Sequence, residues 1–458
     1  MTPAQRRGRC GLWQPLISPS IRPLSDPQPA RRGNGKRGMA NSNSSSGFTP
    51  PPRPDWVQRI IEEGTHMDIR SLVPLQAEEL MATARRNTGF GDFGSGRWEE
   101  GFRTFLAALE SDAELHLLGR LMTRSDILIW LEARLGIEAA YAAHPEIDDE
   151  VVDRPVIVTG LPRSGTSITF ELLAQDPQFG SPRQWEIMFP YPPPERATYR
   201  TDPRIARCEQ LVTQWNRVVP SYAAMHEMGA TIPNECIVAM SCTFMTENLP
   251  GQFQIPSYNE WFFRQELDEP YAYYKRMLKL LQWRNPRGHW LLKSPSHLGT
   301  LPVLFRTFPD ARVVVTHRDP VVAQASVTNL LGTLYWMRSG KAFDAGAFES
   351  LMTPESGAAR LDGVIDLIEK GAVPRAQIHN FRYVDMISDP LAALQTLYRD
   401  MGLELSDTAR AGMRYYLAHK PQGKFGKHRY SVGEQEENAR KRAFFRRYQE
   451  YFDCPDET

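Results

Sequence analysis

Between the apolar run PVIVT and the segment ITFELLAQDP lies GLPRSGTS, residues 160–167. A strand, a glycine-rich turn and a helix in that order aim the amides of residues 163–167 at one point. Unpaired N–H groups at a helix start, together with the helix dipole, hold anions. Arg163, Ser164, Gly165, Thr166 and Ser167 are therefore candidates for gripping a phosphate-like group. A nucleoside triphosphatase loop of this shape also needs a lysine, and an acid closing a neighbouring strand to hold magnesium. Here Thr166 stands in the lysine's place, and the run RVVVTH (312–317) closes on His317. Arg163 supplies the positive charge instead, so the expected ligand is a phosphate compound handled without a metal. Arg318 adds a second cation. It closes a strand and is followed by Pro320, which puts it at the carboxyl end of the sheet, where ligands of open α/β folds bind. A guanidinium there can grip phosphate with two N–H groups at once.

Three stretches, in order, resemble the sulfotransferases that use 3′-phosphoadenosine 5′-phosphosulfate (PAPS), and above all their broad bacterial branch. GLPRSGTS resembles the family's 5′-phosphosulfate loop, RVVVTHRDPVVAQASVTNLL its 3′-phosphate strand and helix, and FRYVDMISDPLAALQTLYRDMGLELS the segment carrying a tyrosine near the adenine. The resemblance runs from Pro155 to Phe452. It implies that PAPS is the donor, that Arg318 and Ser326 bind the 3′-phosphate, and that Tyr383 lies by the adenine. In KFGKHRYS it implies that Lys427, His428 and Arg429 close over the 3′-phosphate, although a basic run of this kind is as readily a solvated face.

Sulfuryl transfer needs a base for the acceptor, in-line alignment, and stabilisation of the charge that develops on the departing phosphate. By the resemblance, Glu186 in SPRQWEIMFPYPPP takes the acceptor's proton, and Lys293, which ends WLLK, touches the donor's bridging oxygen. The alternatives are a structural Glu186 and a solvated strand-end lysine. His226, in SYAAMHEMGATIPNEC, is the rival base, which Glu227 or Glu235 could orient. The choice between Glu186 and His226 stays open here, and Ser294 and His297 are further residues that could line the site. The acceptor is expected to be a hydroxyl, less readily an amine, on a small or lipidic molecule. Two other functions remain: a P-loop phosphotransferase or nucleotidase, which would need a magnesium ligand set, and a nucleotide-binding homologue without turnover.

The elements that must position these residues follow from hydrophobic pattern. PVIVT, WLLK (290–293), RVVVTH and QIHNFRYV (377–384) are short β-branched or apolar runs, each followed by a turn and usually a helical stretch. That alternation predicts an α/β fold, a mostly parallel sheet flanked by helices of the P-loop-like sulfotransferase kind. Residues 51–150 repeat apolar positions at helical spacing, for example Phe105, Leu106 and Leu109, and predict an α-helical N-terminal extension ahead of a catalytic domain at 151–458. The aromatics Trp261, Phe262, Phe263, Tyr271, Tyr273 and Tyr274 read as helical core, with an apolar acceptor wall as the minority alternative.

Residues 1–50 are basic and rich in Pro, Gly and Ser, so they cannot bury enough apolar surface to order themselves. They read as a disordered tail, or as an over-extended start with translation beginning at Met39. Lysine plus arginine and aspartate plus glutamate balance at 54 each, leaving no field to recruit nucleic acid or an anionic membrane. Five cysteines without a CxxC pair argue against a disulfide scaffold or zinc site, and no long apolar run predicts a transmembrane segment. A cytoplasmic protein is expected, its oligomeric state unreadable. HRD (317–319) and DFG (92–94) are kinase signatures in the wrong order, and Gln324 stands where the kinase asparagine belongs.

Overall fold

The computed structural model describes residues 48–344, 353–419 and 435–457. All of the expected tail except Phe48–Pro50 lies outside the described residues. Residues 46–458 cluster as one unit, so the helical lead-in and the sheet share a single body.

Five parallel strands form one sheet in the order β2-β3-β1-β4-β5. They are β1 Val156–Gly160, β2 Phe179–Gly180, β3 His289–Lys293, β4 Arg312–His317 and β5 Ile378–Arg382. The four runs singled out by pattern are β1, β3, β4 and β5, while β2 is a two-residue edge strand that no periodicity could have announced. The chain leaves β1 toward β2 and β3, then crosses back to β4 and β5, so β1 sits at the centre. Its register sets Val158 opposite Lys293 and Gly160 opposite Thr316, so β1 and β4 end within one residue of each other and β3 ends two residues before β1.

Continuous apolar strands signal burial on both faces, and alternation sorts their side chains. Val156, Val158, Leu291 and Val314 pack with Phe170, Leu173, Leu394 and Met413 on one side. Ile157, Leu292, Val313 and Val315 pack with Leu278, Leu281, Leu361 and Phe445 on the other. Tyr271, Tyr273 and Tyr274 belong to that second core and Phe262 to a neighbouring one against which Trp261 packs, whereas Phe263 departs from the core reading and is exposed.

The lead-in is helical, with helices Asp55–Gly64, Ala77–Thr88, Trp98–Ser111 and Leu117–Ala143. The last has 27 residues, about 40 Å at 1.5 Å per residue. It is buried on most of its circumference because Ile127, Leu131 and Leu135 enter one core, Ile137 and Ala140 a second, and Leu118 and Met122 a third. No helix among the described residues is long and apolar enough to cross a membrane.

Among the described residues three histidines are buried, and burial, the main cause in each, holds them in the neutral form. It pushes His116 and His297 down to about 3 and His317 down to about 4, from an ordinary 6.5. His317 is fixed between Tyr448 Oη at 2.8 Å and Asn380 Oδ1 at 2.9 Å. The unfolded chain protonates at these positions near pH 6.5 and the folded one only near 3 to 4, so stability is full above pH 6.5 and falls as the pH drops through that window. Urea denaturation between about pH 5 and 7 should show unfolding linked to the uptake of up to three protons, and His317→Gln should remove one of them.

Candidate active site

The loop between β1 and the helix Thr166–Leu173 is shaped by three left-handed residues. Gly160 has φ 149°, Arg163 71° and Gly165 96°. A Cβ on Gly160 would lie 2.3 Å from Thr316 Oγ1, and one on Gly165 would lie 2.7 Å from Tyr383 Cδ2, so neither position has room for a side chain. Ser164 is buried, and its hydroxyl donates to Leu161 O (2.6 Å) and meets Thr316 Oγ1 (2.6 Å), pinning the loop to β4. Gly165 carries no side chain to cap the helix start, which leaves the first-turn amides of Thr166 and Ser167 turned toward a cleft.

Lys293 ends β3 beside that loop. Its ammonium is buried and donates to Ser167 Oγ at 3.3 Å and to Glu235 Oε1. Glu235 also lies 3.8 Å from His226 Nε2. Burial would push this carboxyl up, but the Lys293 ammonium and the His226 ring outweigh it and hold Glu235 well below the usual carboxylate range. The His226 ring stacks on Tyr222 at 6.2 Å, and its Nδ1 is buried without a hydrogen-bond partner among the described residues. Ser167, Lys293, Glu235 and His226 thus form one continuous polar line.

On the other side of the loop, Asp319 caps the helix Pro320–Arg338 by accepting from Val321 N at 2.9 Å, and Pro320 starts that helix. The cap fixes Arg318 just before it. The Arg318 guanidinium lies 4.2 Å from the centre of the Tyr383 ring, donates to Arg163 O at 3.1 Å, and forms a forked pair with the Glu457 carboxylate at 2.8–3.0 Å. Arg163 itself donates to Met225 O at 3.2 Å.

Both sides open onto one cavity of about 520 Å³, whose walls include Arg163, Thr166, Ser167, His226, Glu235 and Arg318. Beyond these the lining turns apolar, with Met122 and Ile129 from the long lead-in helix, Leu211 and Trp215 from the helix Pro203–Val218, and Leu330 and Leu334 from the helix Pro320–Arg338.

Residues 155–407, more than half of the chain, match the model of a protein family described as "Sulfotransferase family". The chain belongs to that family. The sulfotransferase is 25% identical over 286 residues to omega-hydroxy-beta-dihydromenaquinone-9 sulfotransferase Stf3 of Mycobacterium bovis, a match covering 58% of this chain and 68% of the relative. Its fold is similar to that of sulfotransferase STF9 from Mycobacterium avium, with a TM-score of 0.69, 28% identity, and coverage of 83% of this chain and 98% of the other. It is likewise similar to STF1 from Mycobacterium tuberculosis H37Rv, with a TM-score of 0.65, 29% identity, and coverage of 82% and 99%.

Of the residues expected to form the sulfotransferase site, Arg163, Gly165, Thr166, Ser167, His226, Arg318 and Tyr383 all line the cavity, with Lys293 directly behind Ser167 and Glu235. Glu186 is not brought there. It is fully buried, paired with Arg287, and accepts from Tyr199 Oη (2.8 Å) and Arg183 N (2.9 Å), closing the first turn of the helix Gln184–Met188. Its neighbours Gln184, Ile187 and Met188 reach the cavity wall while Glu186 points away from it. The carboxylate that does reach the polar line is Glu235, which the sequence offered only as an orienting residue for His226. His297 is in the core against Tyr271 Oη, at 2.6 Å. Ser326 falls within the helix Pro320–Arg338, but its side chain, and Lys427, His428 and Arg429 altogether, lie outside the described residues. Glu457 carries no motif and was not anticipated.

Proposed function

We propose that the protein transfers a sulfuryl group from PAPS to the hydroxyl of an apolar acceptor. One observation carries this reading: the line Ser167, Lys293, Glu235, His226 runs from the anion-binding loop to the wall of an apolar cavity. The donor's anionic groups fit the residues present. Loop amides and Arg163 face its 5′-phosphosulfate, Lys293 stands where charge gathers on the departing phosphate, and Arg318 with Tyr383 beneath it suits a 3′-phosphate next to a base. His226, on the cavity wall with a carboxylate behind it, takes the acceptor's proton, and Glu235 orients the ring and balances its charge. The relative named for a hydroxylated dihydromenaquinone supports an apolar alcohol as acceptor. Cys208, Cys236, Cys242 and Cys454 are free and buried, which suits a reducing cytoplasm.

The test is calorimetric. Metal-free protein is titrated with 3′,5′-bisphosphoadenosine and with 5′-AMP, and in parallel with magnesium-ATP, and the titrations are repeated on Arg318→Ala and Glu457→Gln. Losing a charge-assisted phosphate contact should weaken the bisphosphate roughly ten- to a hundred-fold in Arg318→Ala while AMP changes little. Glu457→Gln should act in the opposite sense, because the phosphate no longer displaces a carboxylate. If magnesium-ATP binds best and Arg318 is silent, the reading is wrong and the phosphotransferase alternative replaces it.

A further inference from the structure

The apolar cavity carries a second polar patch, remote from the loop. The helix Pro320–Arg338 lines the cavity from Gln324, near the loop, to Tyr335, a separation of eleven residue steps and about 16 Å at 1.5 Å per residue. Just past Tyr335, Arg338 is fully buried and donates to Asp126 Oδ2 at 2.9 Å. Its guanidinium lies 4.4 Å from the ring centre of Trp215 and 5.2 Å from that of Phe253. Asp126 lines the cavity with 19% of its side chain exposed. Gln252, adjacent to Phe253, lines it as well.

Two atoms here are left unmet among the described residues, Arg338 Nε and Gln252 Oε1. Gln252 is 8% exposed, and its orientation is set by a relay. Its Nε2 donates to Asn248 Oδ1 at 3.1 Å, and Asn248 Nδ2 donates to Ser241 Oγ at 2.8 Å. The relay spends the amide's donor end and leaves the acceptor end over. Buried acceptors are nearly always satisfied, and an unmet one in the wall of a ligand cavity is met when a ligand brings the missing donor. The carboxylate of Asp126, neutralised on its other side by Arg338, offers a second acceptor in the same region.

We infer that Asp126 and Gln252 form a distal acceptor subsite that takes a hydroxyl at the end of the acceptor opposite to the one sulfated. This rests on the reading of the cavity as the seat of an apolar alcohol. The substrate class becomes a long apolar molecule with a hydrogen-bond donor at each end. A site built to hydrogen-bond a hydroxyl discriminates strongly against the analogue lacking it, because its own polar groups are then stranded.

Protein loaded with 3′,5′-bisphosphoadenosine is titrated with α,ω-alkanediols and with 1-alkanols of increasing, matched chain length, and the same compounds are then offered as acceptors with PAPS. At one chain length the diol should bind, and show a KM, about tenfold or more better than the 1-alkanol. In Gln252→Met, which keeps the volume, and Asp126→Asn, which keeps a partner for Arg338, the ratio should fall toward one. Equal affinity at every length, or a preference that survives both variants, overturns the subsite. If the diol preference is present in binding but neither alcohol is sulfated, the subsite stands and the proposed reaction fails. If neither alcohol binds, both fail.

Discussion

Replacing His226 with alanine is expected to slow sulfuryl transfer by about 10²–10⁴-fold, the usual contribution of a positioned general base, while bisphosphate affinity stays nearly constant. The ring lies on the cavity wall rather than in the anion-binding loop, so its loss should appear in kcat and leave the donor site alone. Glu235 is a poor substitute as base because Lys293 and His226 hold its carboxyl low, and a carboxylate that keeps its charge so firmly accepts protons weakly. In the proposed mechanism its work is to fix the imidazole and balance the charge that forms there. Glu235→Gln should therefore also lower kcat, and the double variant should lose little beyond His226→Ala, since residues acting as a unit are not additive. A His226→Ala enzyme of normal kcat would remove the histidine from the mechanism. The search for a base would then move to Glu247, the cavity carboxylate bound by Ser296 Oγ at 2.6 Å and Arg360 Nη2 at 2.8 Å.

The second large effect is one of stability. Glu186→Ala leaves the nearly buried Arg287 guanidinium without its carboxylate, and breaking a buried ion pair by removing one partner costs about 3–5 kcal/mol. The same change removes the acceptor for Tyr199 Oη and opens the first turn of the helix Gln184–Met188. Denaturant titration should thus show a large drop in midpoint, and the fraction that remains folded should turn over at a rate close to that of the parent. A variant of unchanged stability and abolished turnover would restore Glu186 as the base.

These two residues show where sequence reasoning reaches and where it stops. β1 and β4 were legible because buried parallel strands are written as unbroken β-branched runs, and the loop because its glycines are forced by contacts with Thr316 and Tyr383. Lys293 was legible as a strand end, and its place beside the loop follows from the pairing of β3 with β1. The setting of Glu186 was not legible because its partner Arg287 lies 101 residues further on, and nothing local distinguishes a carboxylate facing a cavity from one facing a guanidinium. The apolar cavity was invisible for a related reason. Much of its wall comes from helices far apart in the chain, each of which reads alone as ordinary amphipathic core.

The long helix Leu117–Ala143 lies before residue 155, where the stretch matching the family begins, yet it supplies Met122, Asp126, Ile129 and Trp130 to the cavity. On the proposed reading, the acceptor's wall is thus built partly by a helix that lies outside the matched stretch holding the donor-binding residues. Relatives that agree throughout the matched stretch can still differ in what they modify, and their lead-in helices are the place to compare them. Exchanging residues 117–143 between two such proteins is expected to shift acceptor selectivity while leaving the proposed donor-binding residues untouched.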